Sequence, residues 1–175
     1  MTGVVSVDIV DIDSRVFEIA EREFLREPLH SKITPIAQSA RGWAYDAIQR
    51  GDRYDMIVVD VYNGISLPDE LVTVEFFADL KKLTDRVVMN VIADRALESD
   101  FSQRFLSSVQ RAGLDTWLYD ATLGVPEGYA PRLGNMILAT YPVEEYVHHE
   151  IHNMKPFFDE TNDADHERVK VMYAD

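Results

Sequence analysis

Val4-Val5-Ser6-Val7-Asp8-Ile9-Val10-Asp11-Ile12-Asp13 opens the chain as a nearly continuous β-branched run that ends in carboxylates. Such a run is the pattern of a strand covered on both faces, as in a parallel sheet. A second run, Tyr54-Asp55-Met56-Ile57-Val58-Val59-Asp60, repeats the design: apolar in the middle, closed by an acid. In nucleotide-binding α/β folds, the acid ending the second strand holds ribose hydroxyls and follows a glycine-rich first turn by about 20 residues. Three residues precede Val4. Counting back from Asp11 therefore predicts the ribose-binding half of such a site, with the first strand and its glycine-rich loop missing.

Strand and helix patterns alternate outward from these two runs. Ser14 is the expected N-cap of a helix reaching about Arg26, with Val16, Phe17, Ile19, Ala20, Phe24 and Leu25 as its apolar stripe and Pro28 as its stop. Residues 32–38 read as a short strand, and residues 40–50 as a helix closed by Gly51. Residues 69–83 predict a helix, 86–92 a strand and 99–112 a helix ending at Gly113. Two last strands, 116–120 and 135–141, flank the Gly/Pro-rich stretch 123–134 and predict an antiparallel pair. The whole predicts an α/β, Rossmann-like, mostly parallel sheet with helices on both faces. Residues 1–141 are expected to form this domain. Residues 142–175 are expected to be an acidic extension packed on it, with a short helix over 144–152, a polar loop over 159–167 and a strand over 169–173.

Composition narrows the function classes. Hydrophobic residues at 46% and aromatics at 10% suit a packed core rather than a disordered chain. No apolar run reaches bilayer length and the start has no basic region, so a cytoplasmic location without a membrane is expected. The chain has no cysteine, which excludes disulfides, thiolate catalysis and cysteine-ligated zinc. Seventeen basic against 31 acidic side chains, net −14, disfavour nucleic acid and suit a cationic partner.

Ligands of open α/β sheets bind outside the carboxyl ends of the strands. Asp11 and Asp13, Ser39, and Asp60 with Tyr62 and Asn63 fall at such ends. Asp13 reads as a helix cap and Asp11 as the ribose ligand. Asp60 ends a buried run, where partial desolvation would suit a carboxylate that accepts a proton; the alternative is a loop or helix cap. Glu145, His148, His149 and His152 read as a solvated helix face rather than a metal site. Phe76, Phe77, Phe101 and Phe105 recur at helical spacing and read as core.

Val10-Asp11-Ile12-Asp13, Gln38-Ser39-Ala40-Arg41-Gly42-Trp43, residues 54–64 and Leu71-Val72-Thr73-Val74-Glu75-Phe76-Phe77 together resemble the successive blocks of spermidine synthases and their relatives. Those polyamine aminopropyltransferases share the S-adenosylmethionine-dependent methyltransferase fold, and the resemblance covers about residues 4–141. It implies S-adenosylmethionine or its decarboxylated form as co-substrate, no metal, and a polyamine or other small amine as acceptor. By the same resemblance Asp11 holds the ribose hydroxyls, Ile12 packs on the adenine, and Ser39 and Ala40 contact it. Asp60 orients or deprotonates the attacking amine, with Tyr62 and Asn63 beside it. The chain departs from the pattern at Ser39, where the family has Asp, and at Asn63, where polyamine-making enzymes have a second Asp. These departures and the short N-terminus imply impaired turnover, or a noncatalytic binding or assembly module. A sheet lacking its central strand leaves the strands at Val4 and Asp55 paired directly or gapped, and predicts a homo-oligomer that covers the bare edges.

Overall fold

The computed structural model of the protein describes residues 6–64, 66–121 and 133–142, together with the backbone of residues 154–156 and 169–172. Its contacts divide the chain into two compact units, Met1–Arg50 and Gly51–Asp175.

In the first unit, β1 (Val7–Asp11) pairs in parallel with β2 (Ile33–Ala37), in register from Val7 opposite Ile33 to Asp11 opposite Ala37. The connection is α1 (Arg15–Ile19), which runs on as a π-helical turn over Ala20–Leu25. Arg26, in the left-handed conformation at φ 57°, ends it just before Pro28. Of the two residues expected to cap it, Asp13 does and Ser14 does not. Ser14 already has helical dihedrals and makes no side-chain cap, whereas capping needs an extended residue. Asp13 does the work instead, its carboxylate accepting the Arg15 amide at 3.0 Å. Helix α2 (Ala40–Arg50) starts as expected and is closed by Gly51 at φ +75°, where a side chain would be strained.

The second unit is a six-stranded sheet in the order β3-β4-β6-β5-β8-β7. Its strands are β3 (Ile57–Val59), β4 (Val87–Asp94), β5 (Thr116–Asp120), β6 (Leu133–Ala139), β7 (Met154–Pro156) and β8 (Val169–Met172). β3 runs parallel to β4, and β6 runs antiparallel to both β4 and β5. β3, β4 and β5 therefore point the same way, and their carboxyl ends share one edge of the sheet. The expected antiparallel pair of late strands is β5 with β6. β8 pairs in parallel with β5 and antiparallel with β7, a strand the periodicity did not suggest. The expected strand over residues 54–60 shortens to three residues at the sheet's edge. The expected helix over 69–83 divides into a 3₁₀ turn, Asp69–Leu71, and α3 (Val74–Leu83). Thr73 causes the break: its backbone is extended and its hydroxyl caps α3 by accepting the Phe76 amide.

Helix α4 (Asp100–Arg111) is capped by Ser99 in the same way. Phe76, Phe77, Leu80 and Leu83 of α3, Phe105, Leu106 and Val109 of α4, and Val87, Met89 and Val91 of β4 are all buried. The Phe77 and Phe105 rings meet edge to face at 5.7 Å, so Phe76, Phe77 and Phe105 are core, as their spacing predicts, while Phe101 is half-buried and stacks on Phe105. Alternation along β4 buries one face and leaves Val88, Asn90, Ile92 and Asp94 half-buried on the other. Among the described residues β1 and β3 belong to different sheets. The expected helix over 144–152, with its histidines, and the loop over 159–167 lie outside the described residues. No helix among the described residues is long and apolar enough to cross a membrane.

Candidate functional site

At the carboxyl end of β1, Asp11 is half-buried and its Oδ1 accepts the Asp13 amide at 2.8 Å. Its backbone carbonyl accepts the Gln38 amide at 2.9 Å, which ties the ends of β1 and β2 together. Ile12 follows with 78% of its surface exposed. The strand end thus presents a carboxylate whose Oδ2 takes no hydrogen bond among the described residues, next to a bare apolar side chain. An acceptor beside an apolar surface can take hydroxyl groups on the acid and a flat ring on the isoleucine. Asp13 is spent elsewhere. Hydrogen bonds from the Arg15 guanidinium and amide hold its pKa down to about 2.

Ser39 lies just past β2, and its hydroxyl accepts the Gly42 amide at 3.2 Å as the cap of α2, with Ala40 the first helical residue. A Cβ at position 42 would approach the Ser39 hydroxyl at 3.0 Å and crowd this cap. Asp11, Ile12, Ser39 and Ala40 are therefore gathered at the ends of one parallel pair. Ser39 is held there as a helix cap.

In the second unit Asp60 follows β3. The β3–β4 register, Val59 opposite Met89, places Asp60 beside Asn90 when extended by one residue, and the Asn90 amide donates to Asp60 Oδ1 at 3.0 Å. The desolvation expected of Asp60 is not found. β3 stops at Val59 and has a strand on one side only, so the carboxylate is exposed. Tyr62 is half-buried, and its hydroxyl is buried without a hydrogen-bond partner. Burial and the Asp60 charge push the phenol up, opposed by the nearby Ile92 backbone, which falls short of hydrogen-bond geometry. Asn63 is exposed and exchanges backbone hydrogen bonds with Ser66, at 2.8 and 3.3 Å, around a turn carrying Gly64 at φ +68°. Asn90 escaped the reading of the sequence. Its signal was a single amide inside the apolar run Val87–Ile92.

Two further acids end strands on this edge. Asp94 accepts the hydroxyls of Ser99 and Ser102 and the amides of Glu98 and Ser99. Burial raises its pKa, but these donors outweigh it and hold it down to about 2. Asp120, whose side chain is 1% exposed, takes the Arg95 guanidinium at 2.6 and 2.7 Å. Between them Leu97 is buried in the left-handed conformation at φ 56°. No group of side chains suited to hold a metal ion occurs among the described residues.

With β3 and β4 parallel, β6 antiparallel and acids at the strand ends, the chain shares the α/β fold of S-adenosylmethionine-dependent methyltransferases, as two superpositions show. Human methyltransferase-like protein 13, solved with SAH, superposes on 77% of this chain and 60% of its own at a TM-score of 0.57 and 15% identity. A spermidine synthase solved with the transition-state analogue AdoDATO superposes on 95% of this chain and 59% of its own, at a TM-score of 0.59 and 14% identity. In sequence, 77 residues are 39% identical to the polyamine aminopropyltransferase of Vibrio vulnificus. That match takes in 44% of this chain and 25% of the relative, so the chain matches about a quarter of the relative's length. No protein-family model matches the chain. The resemblance to spermidine synthase-like proteins therefore holds in both sequence and fold.

Proposed function

We propose that the chain is a spermidine synthase-like transferase domain, in which Asp11, Ile12, Ser39 and Ala40 hold an S-adenosyl nucleoside. Asp60, with Tyr62 and Asn63, receives an amine acceptor such as a polyamine. The observation that carries this reading is the Asp60 carboxylate itself: exposed at a strand end, and oriented by the Asn90 amide. Decarboxylated S-adenosylmethionine supplies an electrophilic carbon beside a sulfonium when bound. The acceptor arrives as an ammonium, which a carboxylate attracts. It must lose a proton before its nitrogen can attack that carbon and the C–S bond breaks to release methylthioadenosine; the exposed Asp60 carboxylate would accept that proton. Among the described residues β1 pairs with β2 alone, and its exposed Val7 and Ile9 support self-association of the domain.

A noncatalytic binding module is the second reading. It draws support from Ser39, whose hydroxyl already caps α2 and is a poorer acceptor than a free carboxylate for the adenine amino group.

The test is calorimetric titration of the chain with decarboxylated S-adenosylmethionine and with methylthioadenosine, followed by chromatography for aminopropyl transfer to putrescine. Transfer lost on Asp60→Asn supports the enzyme. Nucleoside binding without transfer supports the module. Neither binding nor transfer removes both readings.

A further inference from the structure

We propose that Gln38, locked in one amide orientation by Asp46, selects the base of the nucleoside: it accepts a hydrogen bond from an exocyclic amino group, so that adenine is preferred to its oxo analogue hypoxanthine. The inference rests on the reading of Asp11 and Ile12 as nucleoside ligands. Gln38 follows β2 directly, and its backbone amide donates to the Asp11 carbonyl at 2.9 Å. It therefore stands beside the strand end that carries the carboxylate and the exposed isoleucine.

The half-buried Gln38 side chain is held from α2, where Asp46 Oδ2 accepts its Nε2 at 2.7 Å. An ionised carboxylate offers only acceptors, so the amide nitrogen has to face Asp46 and Oε1 becomes the end left for a ligand. The two ends of such an amide are nearly equal in shape, and the partner is what sets the flip. Gly42 gives this arrangement its room, since a Cβ there would approach Gln38 Nε2 at 3.2 Å. The neighbouring Ser39 hydroxyl oxygen, engaged by the Gly42 amide, is the weaker acceptor of the two. A fixed carbonyl of this kind reads the sign of the hydrogen bond that a base offers. An amino group donates to it. An oxo group sets a second acceptor against the first, and both lose water without gaining a bond.

The experiment titrates methylthioadenosine and methylthioinosine by calorimetry into the wild-type chain, into Gln38→Met, which keeps the side chain's length but removes the acceptor, and into Asp46→Asn, which lets the Gln38 amide flip. The wild type is expected to bind the adenosine form about tenfold more tightly, and both variants to bring the two Kd values within about threefold of each other. The ratio is the readout, because a merely structural role for Gln38 or Asp46 would weaken both nucleosides alike. Should Gln38→Met fail to fold by circular dichroism, Asp46→Asn, an isosteric change at an exposed position, carries the test. Nucleosides that bind the wild type equally, or a preference that survives in the variants, overturn the role of Gln38 and leave Asp11 and Ile12 as nucleoside ligands. Failure of both nucleosides to bind the wild type overturns this inference together with the reading beneath it.

Discussion

The Asn90 side chain donates its amide to Asp60 at 3.0 Å while its own carbonyl oxygen is buried without a partner. A buried acceptor left unsatisfied costs about 1–3 kcal/mol. Within β4, then, this residue works against stability and in favour of holding a carboxylate at the strand end. Asn90→Val, which suits a strand, is expected to leave the melting temperature unchanged or slightly raised while weakening amine binding severalfold. Thermal denaturation beside amine titration checks this. A fall in both would make Asn90 a structural residue.

Asp60 accepts its hydrogen bond from a side chain, not from the backbone of its own loop. Asp60→Asn keeps the acceptor that Asn90 needs, so the expected change in stability is within about 0.5 kcal/mol. A loss of about 1 kcal/mol or more in urea denaturation would return Asp60 to the role of a loop cap.

Asp94 ties stability to acid pH. Its folded pKa of about 2 lies below the ordinary carboxylate value of about 3.9, so its contribution is complete above about pH 4 and fades as the pH falls toward 2. Because the group is partly exposed, that contribution is on the order of 1–2 kcal/mol. Urea midpoints measured from pH 5 downward should fall more steeply for the wild type than for Asp94→Asn. Parallel curves would show that the four donors do not act on Asp94 in solution.

On this edge the buried Asp120 pairs with Arg95, whose side chain is 32% exposed. Arg95→Met leaves the Asp120 charge buried and is expected to cost about 3 kcal/mol, whereas Arg95→Met combined with Asp120→Leu should recover most of it. Equilibrium unfolding of the two variants measures this directly. An equal loss in both would mean that the pair is worth more than its packing.

Self-association through β1 has a simple probe. Ile9 is exposed on a strand that pairs, among the described residues, with β2 alone. Ile9→Lys should therefore leave the stability of the folded chain within about 0.5 kcal/mol and convert an associated species to a monomer in sedimentation velocity. A wild-type chain that stays monomeric at high concentration would count against the interface.

The elements themselves were legible in the sequence. Runs of β-branched residues marked β1 and β3, Gly51 and Gly113 marked helix ends, and the spacing of Phe76, Phe77 and Phe105 marked a buried face. Each is a local property, set by side-chain period and by the dihedrals a residue tolerates. The tertiary structure decided what those elements meet. Asp11 and Asp60 look alike as strand-end acids, yet one closes a turn with the Asp13 amide and the other is held by Asn90, 30 residues away. Nothing local distinguishes Asp94 and Asp120 in the sequence, because only the folding of α4 onto β4, and of Arg95 onto β5, consumes their charges within the protein. Which carboxylate is left for a ligand depends on strand register and distant donors, and no stretch of sequence contains both sides of those contacts.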